Sequence, residues 1–350
     1  MSLDADDGPM RADVPRSAAD QAARHMARRP TRMEAQLTMD NFITTVNAVL
    51  PLFLIMALGY GIRRTPLMDE HTHQKMNKLI FQLFLPILLF KNISTSSLDA
   101  LSGSWVFVFG FVSEMALFLI LFAVVPLIEK ENRRRGVLIQ ALGRSNYALF
   151  GLPLVGLLYP GEDIAVASML VAISIPVFNV MSVVALETWR GGKLNVLKIL
   201  RGIVTNPLII GCALGFVWLV TGIQLPQFLQ TAIDDTSSIA TPLSLFVLGG
   251  AFEFSRVRCN MRPLLIGTIG RLIVVPVVGI TATVLMGFRG MELYAMCVAF
   301  MAPCAVSSYP MAQQMGGDGE LAGQLVVFTT AFSMFTVFGF TFALKSLGFI

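Results

Sequence analysis

The stretch Pro207-Leu208-Ile209-Ile210-Gly211-Cys212-Ala213-Leu214-Gly215-Phe216 repeats the pattern of Pro51-Leu52-Phe53-Leu54-Ile55-Met56-Ala57-Leu58-Gly59-Tyr60. Both open on Pro-Leu and close on Ala-Leu-Gly and an aromatic ring, 156 residues apart. The same offset carries Pro86 to Pro242 and Gly161-Glu162 to Gly317-Asp318, and Pro153 maps to Pro310 with a one-residue slip. A spacing held over separate landmarks points to an internal duplication.

The duplicated stretches lie in apolar surroundings. Of the 350 residues 55% are hydrophobic and 14% charged, with a mean hydropathy of +0.70. A soluble domain carries about 25% charged residues. The composition therefore excludes a soluble enzyme, a nucleic-acid module and a disordered chain, and indicates a polytopic membrane protein. From Asn41 onward ten apolar segments approach the ~20 residues needed to cross a bilayer. They run over 42–62, 76–95, 104–128, 136–158, 163–187, 202–222, 227–251, 263–287, 292–313 and 321–345. Lys75, Lys78 and Gln82 disturb the second, and Asp234 and Asp235 the seventh.

Five segments separate each pair of repeated landmarks. Five is odd, so the two copies must insert in opposite orientations. The expected fold is all-α: ten transmembrane helices as two inverted five-helix repeats, residues 39–190 and 191–350. Such repeats are a signature of secondary transporters.

Charge orients the bundle. Loops after spans one, three, five and seven hold Arg63, Arg64, Lys75, Lys78, then Lys130, Arg133, Arg134, Arg135, then Arg190, Lys193, Lys198, Arg201, then Arg256, Arg258, Arg262. These are 15 of the 26 basic residues, and the opposite side holds Lys91, Arg289 and Lys345. The positive-inside rule places the odd loops in the cytoplasm and both termini outside. The net charge of +4 is thus a topology signal and argues for no nucleic-acid partner. Residues 1–38 carry six arginines and six acids without an apolar core, so they read as a disordered tail and not a secretory signal. A start at Met39, next to the first span, is the other reading of that segment.

In inverted-repeat transporters the substrate binds near the midplane, where two helices break at matching positions. Spans four and nine fit. One reads Gly143-Arg144-Ser145-Asn146-Tyr147-Ala148-Leu149-Phe150-Gly151-Leu152-Pro153, the other Ala302-Pro303-Cys304-Ala305-Val306-Ser307-Ser308-Tyr309-Pro310. Each break would expose a helix N-terminus, which suits an anion. Ionisable residues inside spans are functional candidates. Glu114 and Arg271 are repeat mates at an offset of 157. Two readings are open: a structural bridge between them, or Arg271 neutralising an anionic substrate while Glu114 titrates as a coupling group. Arg144 contacts substrate or snorkels to an interface. Asn179, after Pro176, supports the broken helix or acts as packing glue.

No metal or cofactor is expected. His71 and His73 form a pair without a third ligand nearby, and the four cysteines read as apolar fillers. Enzyme chemistry lacks its motifs: the chain has no HExxH or GxSxG, and Met315 stands where Gly316-Gly317-Asp318 would need a glycine to resemble an intramembrane aspartyl protease loop.

Three stretches resemble the auxin efflux carrier family, which includes plant auxin exporters and bacterial malate or malonate permeases. They are Asn146 through Gly151-Leu152-Pro153-Leu154, Ile175-Pro176-Val177-Phe178-Asn179-Val180-Met181-Ser182-Val183, and Ala302-Pro303 through Ser307-Ser308 to Gly316-Gly317-Asp318. The resemblance covers Asp40 to the C-terminus. It implies an architecture similar to bile-acid symporters and sodium/proton antiporters, with spans one, two, six and seven as scaffold and the other six as transport domain. It also implies elevator-like alternating access in an inner membrane, a homodimer through the scaffold, and proton or sodium coupling. Asn146, Gly151, Pro153, Pro303, Ser307 and Ser308 would then hold a small carboxylate. Cys304 departs from plant auxin exporters, which carry asparagine there; this favours a small organic acid of the bacterial type. A bile-acid-type sodium symporter and a membrane sensor are the alternatives.

Overall fold

The computed structural model describes residues 50–95, 105–160, 165–190, 196–223 and 225–350, all within the unit Asn41–Ile350. The expected tail, 1–38, lies outside the described residues. Among these the chain is helical throughout, and its one extended pairing is a single bridge between Ser145 and Cys304.

Among the described residues five helices are long and apolar enough to cross a membrane: α2 (Glu70–Ser94), α3 (Trp105–Ile128), α6 (Ala165–Thr188), α11 (Phe254–Leu285) and α14 (Gly319–Ser346). Between and before them lie shorter helices. These are α1 (Leu50–Ile62), α4 (Asn132–Gly143), α5 (Tyr147–Leu158), α7 (Val196–Val204), α8 (Pro207–Thr221), α9 (Gln227–Ser238), α10 (Ala240–Ala251), α12 (Gly290–Met301) and α13 (Ser308–Gln314).

Several boundaries differ from expectation for local reasons. The second span starts at Glu70, not at 76, because Asp69 caps it by accepting from Thr72 N at 2.8 Å. Lys75 and Lys78 consequently stand on exposed turns of α2 and not in a loop. Those hydrogen bonds also hold the exposed Asp69 carboxyl below its usual range. The sixth span starts at Pro207, not at 202: Asn206 accepts from Leu208 N at 2.9 Å and proline takes the first helical position. The seventh span is two helices meeting at Ile239.

The repeated decapeptides have the same structural job. Gly215 lies so close to α2 that an added Cβ would stand 2.9 Å from the Phe90 carbonyl oxygen. Its counterpart Gly59 presses on the carbonyl of Phe246 in α10. Residues 59 and 215, and residues 90 and 246, each differ by the offset read in the sequence. α1 therefore packs on α10, and α8 on α2. Small residues at such crossings let backbones approach, which replaces the hydrophobic drive that lipid removes.

Candidate functional site

Spans four and nine are both broken in mid-course. The half-helices α4 and α5, and likewise α12, have 12 residues each, about 18 Å at 1.5 Å per residue, too short for a ~30 Å hydrocarbon core. Pro303 explains one break: the residue before a proline is driven out of the helical region, and Ala302 is extended at φ −61°, ψ 146°. Arg144, after Gly143, is likewise extended at φ −94°, ψ 114°.

The two breaks meet. Ser145 and Cys304 pair antiparallel, and the Asn146 N–H donates to the Pro303 carbonyl at 2.7 Å. The Cys304 N–H donates to the Thr329 hydroxyl of α14 at 3.1 Å. Four helix ends thus converge in the bundle interior: the C-termini of α4 and α12 and the N-termini of α5 and α13.

Two arginines serve this crossing differently. Arg271 enters from α11 and is fully buried. Its Nη1 donates to Leu142 O at 2.8 Å, its Nη2 to Ala299 O and Ala302 O at 3.0 and 2.8 Å, and its Nε to Ala302 O at 2.9 Å. The side chain offered to a substrate by the sequence is here committed to main-chain oxygens of both half-helices. Arg144 is 6% exposed. Its Nη2 donates to the Ser307 hydroxyl at 2.7 Å and its Nη1 contacts the Met311 thioether. Both partners are neutral.

Beside Arg144 the Asn146 Nδ2 and the Ser145 Oγ are buried without a hydrogen-bond partner. Asn146 occupies the N-cap position of α5 but makes no side-chain cap bond, so its amide stays available. An unpartnered buried donor normally costs about 1–3 kcal/mol, and an unpaired buried charge several. Arg144 and Asn146, two residues apart across the extended Ser145, place a buried cation and an unpartnered amide at the crossing. Ser145 lies inside the stretch quoted above yet was not singled out there, because a lone serine in an apolar span has no distinctive pattern.

The remaining candidates are distributed. Ser307 is half-buried at the crossing, Ser308 is buried with its hydroxyl 3.5 Å from the Cys304 thiol, and Pro303 is buried. Gly151 lies under the Tyr147 ring. Pro153 is exposed, and seven residues past Asn146 it stands roughly 10 Å along the helix; the structure does not bring it to the crossing. Glu114 is 1% exposed and accepts from the Ser174 hydroxyl of α6 with Oε1, while Oε2 has no partner. Among the described residues Glu114 and Arg271 form no ion pair; each has the partners named here. Asn179 donates Nδ2 to Ile175 O of its own helix at 2.7 Å, not to the broken helix. His73 is buried against Val247 O at 2.8 Å while His71 is exposed, and among the described residues no three metal-type ligands gather.

A cavity of about 820 Å³ opens on the face that carries the basic loops. Arg63 and Arg64 line one wall, Arg133 and Arg256 others, and Tyr309 and Gln313 bring the half-helix α13 to it. Its lining also holds the carboxylates of Glu70, Glu253, Asp318 and Glu320. Arg63 pairs with Glu70 at 2.6 Å and Arg256 with Glu253 and Glu320 at 2.7 and 3.2 Å, so the charges at the cavity balance.

The sequence matches a known family. The family model described as a membrane transport protein matches residues 44–341. The chain belongs to that family, the auxin efflux carrier family. It is also 26% identical over 318 residues to a protein of Rhizobium meliloti (strain 1021) named "Putative malonate transporter", covering 85% of this chain and 95% of that one. The chain is accordingly a multi-pass membrane transport protein.

Proposed function

We propose that the chain is a secondary transporter of a small organic anion, a mono- or dicarboxylate of the size of malonate or malate. The observation that carries this reading is the buried Arg144, whose partners are a hydroxyl and a thioether, beside the unpartnered amide of Asn146 at the crossing of the two breaks. The carboxylate would take Arg144, the Asn146 Nδ2 and the N-terminus of α5, with Ser307 completing the contacts; Pro303, Ser308 and Gly151 would shape the backbone around it. The relative's name is consistent with this substrate class.

In this reading the ten spans form two inverted repeats. The reciprocal contacts Gly59 to Phe246 and Gly215 to Phe90 support it, as does the recurrence of broken spans at corresponding positions. Spans one, two, six and seven act as scaffold, through which two copies would pair. The other six spans carry the anion across in an elevator-like movement. The basic face is cytoplasmic in an inner membrane, and its cavity is the inward vestibule.

Uptake of labelled malonate, malate, indole acetate and taurocholate into proteoliposomes tests the proposal. Flux of a small carboxylate is expected; a folded protein that moves none of the four would end it, and a sensor would then be the better reading. Asn146→Ala should lower flux by tenfold or more, since the amide donates to a charged acceptor, a bond of about 1.5–3 kcal/mol. Asn179→Ala should change flux less than threefold, because Asn179 bonds its own helix. Equal losses would remove Asn146 from the site. Glu114, buried with one free carboxyl oxygen, is the candidate proton carrier. Glu114→Gln is expected to flatten the pH profile of flux; an unchanged profile would leave the proton without a carrier there.

A further inference from the structure

The geometry of Arg271 points to something the carrier reading does not contain. In broken-helix transporters the unwound carbonyls and half-helix C-termini coordinate the coupling cation. Each C-terminus carries about half an elementary negative charge. In this chain α4 and α12 both end at the crossing, and their terminal carbonyls converge on one point. That point is occupied by the Arg271 guanidinium, which donates to Leu142 O of one half-helix and to Ala299 O and Ala302 O of the other, all within 3.0 Å. Two half charges are matched by one permanent positive charge.

The delivery of that charge is built into α11. Arg271 lies in a π-helical turn, Gly270–Val274, that interrupts the helix in mid-course. Such single wide turns occur mostly at functional positions. Gly270 next to it leaves room for the Leu142 side chain, which an added Cβ would meet at 2.5 Å. The helix can thereby approach α4 closely enough for the guanidinium to reach its last carbonyls. An arginine at this position stays charged and presents its donors in a rigid fork. Unlike a bound ion it cannot dissociate or be diluted.

We propose that Arg271 is a tethered cation occupying the position of a coupling ion at the two half-helix C-termini, so that anion transport by this chain does not depend on sodium. The proposal rests on the carrier reading above and specifies its coupling. It makes Arg271 a positioning residue that neutralises and clamps the crossing, while Arg144 meets the substrate.

The test uses the full chain in proteoliposomes with malonate as probe, and sodium replaced on both sides by potassium or choline. Wild-type flux should change less than twofold. A tenfold fall without sodium would overturn the proposal while leaving the carrier reading intact. No flux in any salt, for any of the four anions, would instead count against the carrier reading. Arg271→Ala should lose flux and recover part of it on adding guanidinium or sodium, whereas Arg271→Lys should keep sodium-independent flux. A structural role alone would show no such rescue. Because Arg271→Ala empties a buried position and could fail to fold, a second measurement uses the wild type alone. Its melting temperature in detergent should be indifferent to sodium against choline at equal ionic strength. A sodium-specific rise would show a free cation site and overturn the proposal even if no flux is detected.

Discussion

Arg144→Gln is expected to abolish anion binding without destabilising the protein. The substitution removes one charge-assisted donor pair to the substrate, a loss of about 1.5–3 kcal/mol per bond, or roughly 10- to 150-fold in affinity at 1.4 kcal/mol per tenfold. With two such bonds to a carboxylate the loss would exceed what a binding assay detects. The stability expectation has the opposite sign. Arg144 is buried with a hydroxyl and a thioether as partners, and an unpaired buried charge costs several kcal/mol. A neutral glutamine, two atoms shorter, removes that cost and gives up the bond to Ser307. Malonate binding to detergent-purified protein and its melting temperature, measured on the same preparation, separate the two effects. Arg144→Lys should keep part of the affinity, since the charge stays but the fork is lost. If Arg144→Gln kept the affinity while melting earlier, Arg144 would be a structural arginine and the site would have to lie elsewhere.

Gly59→Ala is expected to disrupt the fold although it adds a single methyl group. The new Cβ would collide with the Phe246 carbonyl of α10. That obstacle is main chain inside a helix, so it cannot rotate away; the helices must separate. Overpacking typically costs about 1–3 kcal/mol, and a backbone collision belongs at or above the top of that range. Its repeat mate should behave alike: Gly215→Ala meets the Phe90 carbonyl and the Ile93 Cβ at 2.9 and 3.1 Å. Gly61→Ala, two residues from Gly59, faces open space and should be neutral or stabilising by up to about 1 kcal/mol through helix propensity. Size-exclusion profiles and melting curves of the three variants test this. A monodisperse Gly59→Ala protein with wild-type stability would show that the two helices do not need their close approach.

The candidate site was legible in part, and the parts differ in kind. The break at Pro303 could be read directly, because proline acts on the residue beside it whatever the surroundings. Arg144 was singled out by the cost of ionisable groups in apolar spans, which is again a local rule, and Asn146 entered through the resemblance. Arg271 was singled out by the same rule, with a bridge to Glu114 and a substrate contact both left open, and neither reading named its acceptors. Its acceptors are the carbonyls of Leu142, Ala299 and Ala302, and a carbonyl is present at every residue, so no side-chain pattern marks it. Pro153 shows the converse: it belongs to the quoted motif, yet the helical rise carries it away from the crossing. Ser145 became visible only once burial showed its hydroxyl to be unpartnered.

Hydropathy, proline placement and the 156-residue offset by themselves determined that the chain is a membrane protein with a doubled landmark pattern and two interrupted spans. These features depend on composition and on neighbours a few residues apart, which the sequence states outright. The tertiary structure alone decided that the two breaks meet, that Arg271 joins both half-helices, and that Arg144 is buried against a hydroxyl and a thioether. Each of those facts is a contact between residues far apart in the chain, up to 129 for Arg271 and Leu142 and 163 for Arg144 and Ser307. Such contacts follow from how helices pack around one another, and the identity of the residues does not specify that packing one position at a time.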